Sequence, residues 1–353
     1  MSFSLTVTDF GMLDQTISAS ALIKQNIAQL TAETSSGYVA NDFAGLGANA
    51  GVALDLSQQI SAGTVLQGNV TSASNIQQAA QSALGQIESI ASNFAGQATT
   101  LETNSGSAQT LAASAQDAMQ QVAQLLDTKF GDVYVFGGQD SDTPPVPDPA
   151  DIASSAFAQA IQQTVSGLVT NGAAATSAAT LAIASPGGMS PFAPSLDHGG
   201  AQSEVDLGDG VRVALAPLAN ANSNATSAGA GATSTGSYTR DILLGLASLA
   251  SLGSANTSDA SFLPFVQGIV TTMQGAVTAI NTDIGALGDR QDQVSSAGTE
   301  LGNVATALQT QLSSVQEPDL AQVTAQLSAA QTQLQASYQI IAGLSQLSLA
   351  KYI

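Results

Sequence analysis

The residues that could do chemistry are few, and their spacing argues against most reactions. His198 is the only histidine and sits in Ser195-Leu196-Asp197-His198-Gly199-Gly200. A serine, an aspartate and a histidine this close along one glycine-rich loop are not placed as a hydrolase triad, whose members come from separate elements. With one histidine and no cysteine, a His/Cys zinc site cannot be built. Asp140 and Asp142 have the first spacing of a calcium loop, but Pro144 and Pro145 occupy the next ligand position and that of the required glycine. Gly229-Ala230-Gly231 lacks the third glycine and the following lysine of a phosphate-cradling loop. The expectation is a protein that is not an enzyme, with no catalytic or metal residues and no cofactor.

Charge narrows the partners. Charged residues make up 9% of the 353, yet the net charge is −20, because the only cations are Lys24, Lys129, Arg212, Arg240, Arg290 and Lys351. Six scattered cations cannot neutralise a phosphate backbone or grip an anionic bilayer, so no nucleic acid and no membrane surface is expected as partner. The N-terminus carries no positive charge before Lys24, so a cleavable signal peptide is not expected. The densest apolar run, Ile242 to Leu252, is too short for a membrane span, and no insertion is expected. Absence of cysteine is compatible with secretion. The remaining surface, rich in Ala, Ser, Thr, Gln, Asn and Gly, suits copies of one acidic protein standing side by side.

What positions these residues is helix. From Val270 onward one seven-residue row reads Met273, Ile280, Leu287, Val294, Leu301, Leu308, Val315. Its companion, offset by four, reads Val270, Val277, Ile284, Gln291, Gly298, Ala305, Leu312. Alternating steps of three and four over many heptads describe a helix with a narrow seam, shaped to lie along another helix. Such a rod is roughly 70 Å long at 1.5 Å per residue. Pro318 is tolerated in a first helical turn but not inside a helix, so it divides two helices. The grid restarts with Leu320, Val323, Leu327, Ala330, Leu334, Ile341 and Leu344. An apolar stripe running to the chain end needs a partner.

The other end mirrors this. A first helix is expected from about Asp9 to Thr34, with Leu13, Ile17, Ile23, Ile27 and Leu30 largely on one side and Gly37 closing it. After an irregular connector from Tyr38 to Gly51 comes a second rod, with Leu66, Ala73, Ala80, Ile87, Phe94 and Leu101 in one row. Asn104-Ser105-Gly106 breaks it, and a third helix carries Leu111, Ala115, Met119, Val122 and Leu126. In the middle, Val133 to Phe136 reads as a strand entering the turn Gly137-Gly138. The proline-rich 142–149 marks a boundary. Asp151 to Thr170 looks helical. Ser203–Leu207 and Val211–Leu215 flank Gly208-Asp209-Gly210 as a hairpin. Ala219 to Gly236 reads as a flexible surface loop, and Arg240 begins the helical return.

Two helical ends around a distinct middle resemble the bacterial flagellin superfamily, and within it the hook-associated protein 3 (hook–filament junction) branch. The resemblance is carried by Leu30 to Tyr38, by Asn41-Asp42-Phe43-Ala44-Gly45, and by Tyr134-Val135-Phe136-Gly137-Gly138 running to Pro144-Pro145. It continues in Asp319-Leu320-Ala321, Gln333-Leu334-Gln335-Ala336-Ser337-Tyr338 and the ending from Ile340 through Ser348. It implies a secreted, extracellular structural subunit of the flagellum at the hook–filament junction, exported unfolded without a cleaved signal. The end helices then pair on assembly and line the inner core of the tube. Its partners would be copies of itself, the hook-side hook-associated protein, flagellin, an export chaperone and the export apparatus. A filament subunit, and a soluble helical adhesin or binding protein, remain alternatives.

The expected fold is mainly α: an elongated antiparallel helical bundle or coiled coil built from both chain ends, with a smaller α+β outer domain in the middle. The expected divisions are 1–50 (terminal helix and connector), 51–143 (long-helix arm), 144–239 (variable outer domain), 240–317 (return helices) and 318–353 (C-terminal axial helix). Candidate assembly residues are Leu13, Ile17, Ile27 and Leu30 from the first helix, and Leu320, Val323, Leu327, Leu334, Ile341 and Leu344 from the last.

Overall fold

The computed structural model describes residues 6–40, 42–197, 200–208, 210–223 and 232–349, with side chains from residue 14 to residue 343. His198, Asp209, the centre of the 219–236 segment and the last four residues lie outside the described residues. In chain order the elements are α1 (Thr6–Ser36), α2 (Ala50–Thr100), α3 (Ala108–Leu126), β1 (Lys129–Phe130), β2 (Val133–Tyr134), α4 (Ala156–Ser166), α5 (Leu168–Asn171), α6 (Ala173–Ala184), α7 (Pro194–Asp197), β3 (Glu204–Asp206), β4 (Arg212–Ala214), α8 (Tyr238–Ser251), α9 (Phe262–Gln316) and α10 (Leu320–Leu349). Short 3-10 turns at Ala44–Asn49 and Pro149–Ser154 lead into α2 and α4. Long helices from both chain ends and two small antiparallel hairpins in the middle make a helical bundle with a small outer region, as the sequence indicates.

Helix boundaries follow local chemistry. α1 ends at Gly37, whose φ of 73° is open to glycine without strain and whose N–H donates to Glu33 O at 3.0 Å. Pro318 divides α9 from α10, and Asp319 Oδ1 then accepts from the N–H groups of Ala321 and Gln322, capping α10. Ser237 caps α8 by accepting from Arg240 N. One expected helix, Asp151 to Thr170, is instead three pieces. Ser155 turns extended to cap α4, accepting from Ala158 N, and Gly167 separates α4 from α5.

The chain divides into two compact units: residues 1–65 with 302–353, and residues 66–301. The second has one continuous apolar core. Ala80, Leu84 and Ile87 of α2, with Leu101 in the turn just after it, join Met119, Val122 and Leu126 of α3, and Phe262, Phe265, Met273 and Ile280 of α9. At its centre lies α8, buried at every residue except Ala250. A helix apolar all round belongs inside a protein, which accounts for the dense run from Ile242 to Leu252. Within Phe262–Gly343 one 18-residue window does reach the hydropathy of a membrane span, contrary to the expectation that none would. Half of that window is buried in the protein, as in a core helix.

The middle segment shares this core. Val146, Ile152, Phe157, Ile161, Val165, Phe192 and Leu218 belong to the same cluster as the long helices. The β3–β4 hairpin, in register Val205↔Val213, lays Leu207 and Val213 on Val70, Ala73 and Val294. The expected division at 143/144 thus coincides with no break in the core. Arg240 pins the segment to α8 from a position 4% exposed. Its guanidinium pairs with Asp197 at 2.5 Å, donates to Asn220 O and Ala184 O, and lies over the Phe192 ring. The 219–236 stretch is no surface loop at its ends: Ala219, Asn220 and Ser234 are buried, and Asp241 accepts from Ser234 and Thr235.

The strand expected over Val133–Phe136 is only two residues long. Val135 and Phe136 turn inward instead, Val135 N donating to Thr128 O and Phe136 O accepting from Ala219 N. Gly138 follows with φ 65°; a Cβ there would collide with Ala201 O and the Leu218 side chain, so only glycine fits.

Candidate assembly surface

The unit formed by 1–65 and 302–353 holds all ten candidate residues. Its main element is the pair α1–α10. The two helices run antiparallel, since Val39 N at the end of α1 donates to Gln316 O just before α10, while Ser20 meets Ser337 further along. The stripe of α1 that turns inward is Thr16, Ser20, Ile23, Ile27 and Leu30; that of α10 is Val323, Leu327, Ala330, Leu334, Ser337 and Ile341. Both keep the alternating steps of four and three that fit one helix along another.

Of the predicted residues, Leu30 and Val323 are buried, and Ile27, Leu327, Leu334 and Ile341 are half-buried along this seam. Ile17 and Leu320 are not in it; each is about half exposed. Leu13 and Leu344 fall within α1 and α10, but their side chains lie outside the described residues. A hundred-degree step per residue explains Ile17: it sits one position beyond Thr16, round the side of the seam.

A second patch of core ties the connector to the long helices. Leu46, Ala53, Leu56 and Leu312 are buried together, with Val39, Ile60, Leu308 and Val315 beside them. The 42–45 turn is closed by Asp42, whose Oδ1 accepts from Gly45 N at 2.7 Å.

Burying one stripe leaves much apolar surface open. Ile17, Leu22, Tyr338 and Ile340 stand exposed on α1 and α10, and Val52, Leu54 and Val65 on α2. Leu54 and Val65 are eleven residues apart, three turns, and so share the face opposite Ala53 and Leu56. Apart from Ile17, these residues were not singled out by the heptad rows, which select one face per helix. The signal that could have found them is the second apolar set off the seam.

Among the described residues no comparable surface or polar cluster gathers elsewhere. Asp197 pairs with Arg240. Asp140 accepts from Thr143 in a turn. Among the described residues no group of three or more His, Asp or Glu is placed to hold a metal ion. Two groups titrate abnormally. Burial raises Asp127 to about 6, against the lowering effects of the Val146 N–H it accepts and of Lys129. Burial, with the neighbouring Asp283, pushes the Tyr238 phenol well above its usual range. Both lie in residues 66–301 and serve the core.

A helical pair with open apolar faces suits a subunit that associates. The model of the bacterial flagellin N-terminal helical region matches residues 12–141, and that of the C-terminal helical region matches residues 270–353. Together they span more than half of the chain, which belongs to the flagellin superfamily. Members of this family are structural, non-enzymatic proteins that are exported and self-assemble into the extracellular flagellum. No curated protein matches the chain.

Proposed function

We infer that the protein is the hook–filament junction adaptor of the flagellum, and that α1 and α10 are its axial assembly elements. The observation that carries the assembly role is the open apolar surface of the 1–65/302–353 unit, on the helices that the family models match. Leu13, Ile17, Ile27 and Leu30 with Leu320, Val323, Leu327, Leu334, Ile341 and Leu344 supply the contacts, some within the pair and some to neighbouring copies. The hook-side hook-associated protein and flagellin flank it, and the export apparatus with a chaperone delivers it. It performs no catalysis.

Support for the adaptor over a filament subunit is the Tyr134-to-Pro145 segment and the ending Gln333 through Ser348, both of which resemble the junction branch. The former is also a structural node: Tyr134 N donates to Ser141 O and Gln139 N to Ala201 O, so its sequence is constrained by the turn it builds. Electron microscopy of a strain lacking the protein tests the reading. Hooks without filaments, with flagellin shed into the medium, are expected. Intact filaments of altered composition would make it a minor flagellin instead.

A further inference from the structure

We propose that the register of α1 against α10 is chosen by two polar contacts, Ser20 with Ser337 and Lys24 with Tyr338, and not by the apolar stripe. The stripe is degenerate. On α1 its positions 16, 23 and 30, and 20 and 27, repeat every seven residues; on α10 so do 323, 330 and 337, and 327, 334 and 341, with exposed Leu320 one heptad before Leu327. Sliding one helix by a heptad therefore keeps apolar positions facing apolar positions. Leu30, level with Leu327 in the observed register, would meet Leu320 or Leu334, another leucine in either case. The Val39 N–H to Gln316 O bond holds the register only at the connector end. Along the helices, where burial cannot distinguish registers, another determinant is needed, and a single polar pair in an apolar seam is a known device.

The polar pair here is specific. Ser20 is 5% exposed and its Oγ donates to Thr16 O at 2.8 Å, so toward α10 it can only accept. Ser337 Oγ lies 2.6 Å away and donates to it. One slip would oppose Ser20 to Ala330, the other to position 344, a leucine; neither carries a hydroxyl. Lys24 Nζ stands 5.6 Å from the centre of the Tyr338 ring, an attraction also lost by a slip of about 10 Å. The observed register has a consequence for assembly, which rests on the function proposed above. It sets exposed Ile17 level with exposed Ile340, since both pairs of positions share one antiparallel offset with Ser20 and Ser337.

The cysteine-free chain makes the register directly readable. Cysteine is placed at Leu30 with a second at Leu327, Leu320 or Leu334 in the full-length soluble protein. After mild oxidation, intrachain bridges are quantified by mass spectrometry. The Leu327 pair should exceed each slipped pair about ten-fold, which one weak hydrogen bond and one exposed cation–π contact together sustain. In a Ser20→Ala, Lys24→Ala, Ser337→Ala background that ratio should fall toward one, and restoring residue 24 as arginine should recover part of it. Val323→Ala weakens the seam without touching either contact, and should lower total bridging at an unchanged ratio. A ratio that survives the triple substitution, or that Val323→Ala reduces equally, overturns the proposal. No polymer is needed, so failure of assembly and failure of register are read separately.

Discussion

The two units of this chain solve the burial problem differently. Residues 66–301 surround a helix, α8, that is buried at all but Ala250, with α3, α4 and the long helices, and close their own core. Residues 1–65 and 302–353 bury one stripe per terminal helix and a small cluster around Leu46 and Leu312. Eleven of the sixteen large apolar residues exposed among the described residues lie in this second unit, which is only a third of the chain. Isolated helices gain most of their stability from tertiary packing, so a pair with this much open surface is marginal alone. One unit closes its own core; under the proposed function the other is completed by neighbours.

The largest effect that could break this contrast comes from charge in the terminal seam. Leu334→Asp or Ile341→Asp is expected to abolish incorporation into hooks or polymers while leaving the thermal transition of 66–301 unchanged. An unpaired carboxylate buried on assembly costs several kcal/mol. Normal assembly of both variants, scored by electron microscopy, would show that these side chains face solvent in the polymer.

Deletion of the middle sharpens the contrast from the other side. From its sequence alone, replacing 144–239 by a Gly/Ser linker should leave an exported protein that still reaches the hook. The shared core changes that expectation. The deletion removes Val146, Ile152, Phe157 and Ile161 from around α8 and unpins it by removing Asp197, so the shortened protein should lose its cooperative thermal transition. A transition near that of the full chain would restore the independent outer domain. A milder core lesion, Leu243→Ala, should cost about 2–5 kcal/mol in denaturant unfolding of the monomer, as for other buried leucines. The equivalent truncation at Leu22, which is exposed, should cost the monomer almost nothing.

The smallest effect is protonic. Asp127 ionises near 6 in the folded protein against 3.8 ordinarily, so the folded state holds its proton more tightly than the unfolded chain does. Its contribution is favourable below about pH 4 and is lost as pH rises through 6. Asp127→Asn should therefore stabilise the protein relative to the parent at pH 7 and not at pH 4, as read from paired denaturant titrations. The same difference at both pH values would remove the buried charge from the account.

Much of this was legible in the sequence, and the exceptions have physical reasons. Seven-residue rows located α2, α9 and α10, and Pro318 with Asp319 located the break, because periodicity and capping are local properties. The hairpin at 204–214 was equally plain from Gly208-Asp209-Gly210. α6 was not seen: Ala173–Ala184 is almost all small residues and carries no amphipathic period. Nor were the buried ends of 219–236, where Ser234 and Thr235 donate to Asp241 and the Asn220 carbonyl accepts from Arg240, both in the helix that follows. Within the candidate surface, the row logic placed Leu30, Val323 and Leu334 on the seam. It could not tell that Ile17 and Leu320 turn aside, because that depends on the partner helix.

Hydrogen exchange on the free chain and on the assembled polymer tests the central contrast most directly. Amides of α3 and α8 should be protected to a similar degree in both states, whereas those of α1 and α10, paired but opening readily in the free chain, should exchange much faster there than those of α8 and gain strong protection only in the polymer. Protection of α1 and α10 in the free chain equal to that of α8 would contradict this contrast, and would make the terminal pair a finished domain with no need of neighbours.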